Sequence, residues 1–488
     1  MKGSTAPRLD VRTPALLGCA LASEPGRSLD ARNPARRNRR RLLRPILAFA
    51  AAALAVALAT PAPALTLIRV AEIEATLGRI AAPLLRAAAL SPSSVNIYIV
   101  ADRDPNAFVA GGQNVFVHTG LLTELDSLDQ VRAVLAHEIG HLAGGHQTRR
   151  DQALQGVKGI AAIGMLGAAA AAVGGAPQAA IAIGAATGQA AQRSALAYGR
   201  AEEATADQMA LGFLAAAGTD PHAMLDVLAH FRGQEALTGR YAEPYAQNHP
   251  MWGERLAMIE DRVARMAPGR PASDEDLYWY GRMVAKLDGF IDSPAQTLRR
   301  YPESDTSEAA TLARAVAWHR RPDDARAGAA VATLIAARPD DPYYHDLAGQ
   351  FLLEAGRAGA AAAEYREAVA LAPKEPLILG GLGRALLNTG DPDDTAAARD
   401  ALARSVAMDD ADEGVLRDLA LAEARLGNEG AAALATAQRF VLQGRFPDAD
   451  RNARRAADLL PEGSPGWRRA EDLITITERV RKRARTRN

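Results

Sequence analysis

Three of the chain's nine histidines fall within the short stretch VLAHEIGHLAGGH, residues 134–146. If that stretch is helical, His137 and His141 stand four residues apart, so both imidazoles leave one face and can hold a single ion. Glu138 points slightly aside, where a carboxylate can take a proton from water at that ion without being a ligand. The spacing is H-E-x-x-H, a metal-hydrolysis pattern. Two other histidines read more weakly. His118 ends the strand-like VFVH and is expected to make a structural hydrogen bond. His146 follows Gly144-Gly145, a helix stop, and is at best a support behind the ligands.

Two readings of the third ligand compete. The extended pattern H-E-x-x-H-x-x-G-x-x-H puts its glycine on Gly144 but its last position on Gln147, with His146 one residue early, so the register fails. The other reading takes a glutamate from a second helix. In AYGRAEEATADQMALGFL (197–214), Glu203 and Asp207 lie four apart on one helical face. Glu203 would complete a two-histidine, one-carboxylate set of the kind zinc takes, and Asp207 could accept the remaining ring N–H of a ligand histidine, fixing its tautomer. Glu202 is the rival; Glu203 is preferred because Asp207 shares its face. One zinc ion per chain is the implied cofactor.

These side chains need elements to hold them. TELDSLDQ (123–130) supplies a helix start, and VRAVLAHEIGHLA continues it with apolar residues at helical spacing. VNIYIVADRD (95–104) and NVFVH (114–118) read as short strands. A free sheet edge is expected near 112–118, where an extended substrate would pair through its main chain. Residues 157–191 carry a single charge, Lys158, and Gly174-Gly175 and Pro177 break them into two apolar helices. Each is too short to span a bilayer, so the pair reads as a movable hairpin over the site or one touching a membrane surface.

Further along, Pro339 and Pro373 are 34 residues apart, as are Gly356 and Gly390, and GRAGAAAAEYREAVALAP (356–373) resembles half of a tetratricopeptide unit. Gly427 follows Gly390 by 37, so one unit has an insertion near DPDDT. Stacked helix pairs present a surface for partners. The expected fold is α+β, mostly α: a zincin-like domain with a small sheet and the H-E-x-x-H helix, then an α-helical repeat solenoid. The expected segments are a leader (1–64), a catalytic domain (65–268), repeats (269–462), and a C-terminal helix with a basic tail (463–488).

The leader reading rests on RRNRRRLLRP (36–45), the apolar run 46–59, and Ala62 and Ala64 spaced for cleavage, with RRRLLR also similar to a twin-arginine signal. Cys19, the one cysteine, falls within it, so the processed chain would have no disulfide. Lys and Arg together number 57, as do Asp and Glu, which gives no reason to expect nucleic acid as a partner. The tail RVRKRARTRN is basic, with anionic lipid headgroups as one available partner.

Four stretches together resemble the zinc metallopeptidases that include HtpX and the CAAX-prenyl endopeptidases, and most closely their periplasmic BepA-like members with tetratricopeptide repeats. They are NAFVAGGQNVFVHTGLL (106–122), HEIGH, RAEEATAD (200–207) and HPMWGER (249–255). Thr205 departs from the acidic residue common there. The resemblance implies His137, His141 and Glu203 as zinc ligands and Glu138 as catalytic base. It implies that His249 can occupy the metal's open position and hold the enzyme latent, and that Arg255 steadies an oxyanion or the substrate carbonyl. It also implies a periplasmic endopeptidase acting on unfolded or misassembled proteins, in quality control of outer-membrane β-barrels and in contact with their assembly machinery. A chaperone or scaffold, with proteolysis latent or vestigial, is the alternative. A membrane-embedded prenyl-protein peptidase is disfavoured by the scarcity of apolar spans.

Overall fold

The computed structural model describes residues 66–146, 199–231, 249 and 253–485. The leader, Cys19 and the apolar stretch 157–191 lie outside these residues, and elements are numbered within them.

Four strands form one sheet: β1 (Leu67–Ile68), β2 (Asn96–Val100), β3 (Ala107–Ala110) and β4 (Asn114–His118), in the order β1-β2-β4-β3. β2 and β4 run parallel with Tyr98 opposite Phe116, and β3 closes back on β4 as an antiparallel hairpin with Phe108 opposite Phe116. The expected edge at 112–118 is therefore corrected: β4 is paired on both sides, and the edge beside it is β3. The reason is the crossover. The connection from β2 skips one position, so the next strand in sequence takes the outside of the sheet.

Helix α1 (Ala71–Ala87) lays Ile73, Leu77, Ile80 and Leu84 into the core at helical spacing. α2 (Thr119–Glu124) leads into α3 (Leu128–Ala143), whose first turn is capped by the Ser127 hydroxyl accepting from the Gln130 N–H. α3 is buried on nearly every side, as expected of a helix at the centre of a domain. A helix over 199–217 (α4), then α5 (His222–His230) and α6 (Gly253–Val263), complete the layer around it. α7 (Asp274–Ile291) adds Met283 and Leu287 to the same core.

After α8 (Pro294–Arg300) come five helix pairs. They are α9 (Glu308–Arg320) with α10 (Asp324–Ala337), α11 (Pro342–Glu354) with α12 (Ala358–Leu371), α13 (Pro376–Asn388) with α14 (Pro392–Met408), α15 (Glu413–Arg425) with α16 (Glu429–Leu442), and α17 (Phe446–Leu459) with α18 (Pro465–Arg485). Gly356 and Gly390 turn the chain between helices at φ of +73° and +77°, a conformation that favours glycine. Gly349 makes room for the Tyr365 ring and Gly383 for Leu402. The first helix of a pair thus has a notch for a bulky residue of the second. The insertion read near DPDDT lengthens α14 to 17 residues, where α12 and α16 have 14.

The repeats are tied to the catalytic layer through α1. Ala71 is buried in the core of the middle repeats. Glu72, wholly buried, accepts from Arg282 Nε at 2.6 Å and from Lys286 Nζ at 2.9 Å. Arg282 also pairs with Asp341 and lies 4.2 Å from the centroid of the Tyr344 ring. Arg69 pairs with Glu74 and with Asp409 in the turn before α15. Among the described residues no helix is long and apolar enough to cross a membrane.

Candidate metal centre

α3 delivers His137, Glu138 and His141 from two adjacent turns, and α4 delivers Glu203 and Asp207. The two helices approach closely because Gly140 has no side chain: a Cβ there would come 2.7 Å from the Ala206 carbonyl oxygen. His249, described on its own before α6, joins them.

Four residues converge. His137 Nε2 lies 3.1 Å from His141 Nε2 and 3.1 Å from His249 Nδ1. Glu203 Oε2 lies 3.1 Å from His249 Nδ1 and 3.3 Å from His137 Nε2, and its Oε1 is 3.3 Å from His141 Nε2. Ring nitrogens facing ring nitrogens cannot all be hydrogen-bonded. A tetrahedron with arms of roughly 2.0 Å, the zinc–imidazole distance, has edges of about 3.3 Å. The observed spacings lie close to those edges, the ligand atoms of the four residues all lie within 4.8 Å of one another, and among the described residues they form a group that could hold a metal ion. The donor set fits zinc.

The electrostatics favour a cation. Burial alone would lower the His137 imidazole, but Asp207 and Glu203 outweigh it and raise its pKa to about 10. Burial would likewise raise Glu203, yet the facing histidines, His249 foremost in charge, hold it well below the usual carboxylate range. Two buried carboxylates thus concentrate negative potential where a divalent ion would sit.

Around these atoms the placement is specific. Asp207 Oδ1 stands 2.9 Å from His137 Nδ1, the ring nitrogen facing away from the cluster. His146 Nδ1 stands 2.9 Å from His141 Nδ1 and is buried, because the Gly144-Gly145 turn folds it back under the helix. A Cβ at Gly144 would strike that ring at 2.5 Å. Glu138 is 1 % exposed, accepts no hydrogen bond among the described residues, and faces His249 Nε2 at 3.3 Å. The same Nε2 is 3.3 Å from the carbonyl oxygen of Ala107 on β3. Glu202 is buried but outside the cluster, and Thr205 bonds back to the Ala201 carbonyl. His118 donates through Nδ1–H to the Asp104 carbonyl, 2.9 Å away.

Arg255 is 1 % exposed and grips Asp207 with two parallel bonds, Nε to Oδ2 at 2.6 Å and Nη2 to Oδ1 at 2.8 Å. Its Nη1 lies 3.1 Å from Glu203 Oε2 and 3.1 Å from the His249 carbonyl oxygen. The backbone carbonyl of Ala107, the Gly140 contact and this arginine fork are the parts of the site that motif spacing does not reveal.

A small sheet beside an H-E-x-x-H helix, with a carboxylate from a second helix, defines a metallopeptidase. The chain is one: residues 70–263 match the model of Peptidase family M48, and a peptidase domain of that family is followed here by tetratricopeptide-like repeats. The Escherichia coli K12 protein named "Beta-barrel assembly-enhancing protease" is 27 % identical over 72 % of this chain and 72 % of its own length. The Yersinia pestis protein of that name is 26 % identical over 79 % of this chain and 80 % of its own. The Schizosaccharomyces pombe "Mitochondrial metalloendopeptidase OMA1" is 26 % identical over 41 % of this chain and 55 % of its own.

Proposed function

We propose that the chain is a zinc-dependent endopeptidase of the periplasm that hydrolyses unfolded or misassembled envelope proteins, in quality control of outer-membrane β-barrels. The carrying observation is the convergence of ligand atoms from His137, His141, Glu203 and His249 within 4.8 Å of one another. The names of the relatives support the envelope setting, with the repeats as the surface that meets the assembly machinery.

In this reading His137, His141 and Glu203 hold the metal. Zinc, when bound, supplies Lewis acidity to the peptide carbonyl and to water. Glu138, buried and facing His249 Nε2, takes the proton of the attacking water and passes it to the leaving amide nitrogen. Asp207 orients His137, and Arg255 orients Asp207 and Glu203, so Arg255 is a positioning residue. The substrate backbone pairs with the β3 edge, Ala107–Ala110, with little regard to side chains.

His249 supports a second reading of the resting state, a latent protease whose repeats act as scaffold. It takes the fourth position, the space beside Glu138 and the first carbonyl of the edge strand, three places a substrate or water needs. The test compares degradation of an unfolded model protein by the parent, Glu138→Gln and His249→Ala chains under matched zinc. Cleavage by the parent or by His249→Ala, absent from Glu138→Gln with metal still bound, supports the peptidase. Silence from all three leaves the scaffold.

A further inference from the structure

One face of the sheet carries a row of aromatic rings. Phe108 on β3, Phe116 on β4 and Tyr98 on β2 stand level in the strand registers. Their ring centroids lie 5.2 Å apart from Phe108 to Phe116 and 5.5 Å from Phe116 to Tyr98. The opposite face gives Ile97, Ile99, Val109, Val115 and Val117 to the core, whereas the three rings are half-buried. His118 flanks the row, its ring edge-on to Phe108 at 6.0 Å. The row crosses the sheet and stops at β3, beyond which there is no further strand among the described residues.

The backbone of β3 fixes what meets that row. The Asn106 carbonyl oxygen accepts from the His118 N–H, so alternation turns the main-chain groups of Phe108 toward β4 and those of Ala107 and Val109 toward the open side. The Ala107 carbonyl oxygen does point that way, since His249 Nε2 lies 3.3 Å from it. Nδ1 of the same ring is 3.1 Å from both His137 Nε2 and Glu203 Oε2. A substrate strand paired with Ala107 therefore lies against the metal centre. Whichever way it runs, its neighbouring residue stands level with Phe108, with the side chain on the aromatic face.

We propose that Phe108 is a specificity-determining residue: it extends the aromatic row onto the substrate and selects an aromatic or β-branched side chain within about two residues of the bond cut. The inference rests on the peptidase reading, with the substrate bound at the β3 edge. Main-chain pairing alone is indifferent to side chains, and the row adds one selective position to it. An aromatic or β-branched side chain laid beside Phe108 buries apolar area, and an aromatic one also stacks; serine or a charged side chain does neither. A strand that is apolar on one face meets this demand, which is the pattern of an unassembled β-barrel strand.

The test uses the zinc-loaded full chain carrying Glu138→Gln and His249→Ala, which keeps a bound peptide whole and removes the ring that faces the Ala107 carbonyl. Two fluorescent peptides of serine and glutamine, identical but for phenylalanine or serine at the centre, are titrated against it. The phenylalanine peptide is expected to bind about tenfold tighter. Adding Phe108→Ser is expected to bring that ratio to about twofold or less while the serine peptide binds as before. A merely structural Phe108 would weaken both peptides alike. Phe108→Leu, which keeps the bulk and loses the ring, is expected to lower the ratio several-fold and serves where a thermal melt shows the serine variant unfolded. Alongside, the His249→Ala chain digests a random peptide pool, with cuts expected at one fixed spacing from an aromatic or β-branched residue. Equal affinity for the two peptides, binding of neither, or a ratio unchanged by the Phe108 variants overturns the proposal. Selective binding with no cleavage by the His249→Ala chain keeps Phe108 as the selector and removes the peptidase reading instead.

Discussion

Gly140 of the active-site helix abuts the backbone of Ala206 with no side chain between them, and this contact sets the distance from the two histidines to Glu203. Gly140→Ala forces a separation, since a Cβ would meet the Ala206 carbonyl oxygen at 2.7 Å. The expected outcome is a folded chain whose zinc affinity falls by at least about tenfold, the scale of disturbed ligand support. Competition against a chelator measures it. Unchanged affinity would mean that the helices have slack.

Removing the His249 imidazole should free the position it fills. His249→Ala is expected to raise basal proteolysis several-fold while zinc stays bound through three residues. A basal rate no higher than the parent's excludes the latch.

Arg255→Lys separates positioning from oxyanion stabilisation. A lysine keeps the charge but not the two-pronged grip on Asp207. Weaker zinc binding by the folded variant, of roughly tenfold, is expected. An oxyanion role would instead lower kcat with zinc affinity intact.

Stability should depend on pH through Glu72. Burial opposes its charge, but Lys286 and Arg282 outweigh burial and lower its pKa. A folded pKa below the unfolded value of about 4.5 gives stabilisation that is full above that value and lost as the pH falls through the folded one. Glu72→Gln leaves two buried cations under-compensated and should destabilise by about 3–5 kcal/mol at neutral pH. It should also flatten the acid limb of a melting curve; an acid limb of unchanged slope would assign the effect to other carboxylates.

The legible parts of this molecule are those whose information is local. His137, Glu138 and His141 announce themselves by helical spacing, and Glu203 by its place one turn before Asp207. The repeats announce themselves by period. What was hidden depends on chain segments far apart in sequence. Whether β3 or β4 lies outermost depends on which strand pairs with β2, and strand propensity does not encode that choice. The Arg255 fork joins residues 48 positions apart. The guanidinium's direction follows from packing against α4, so a basic residue in a motif near a metal reads as catalytic until its partners are seen. Glu72, an acidic residue in a helix's first turn, would pass for ordinary dipole compensation. Arg282 and Lys286, 210 and 214 positions away, reveal why it is buried.

That separation bears on the order in which the protein matures. Residues 69–74 leave the ribosome among the first of the folded part, yet their partners at 282, 286 and 409 come far later. Until those arrive, Glu72 lacks the cations that offset its burial and Arg69 has Glu74 alone, so the first catalytic helix docks late in synthesis. The active centre is thereby the product of a finished chain. A truncated copy lacking the repeats would carry every metal-binding residue but lose the Asp341 and Asp409 carboxylates that pair with Arg282 and Arg69.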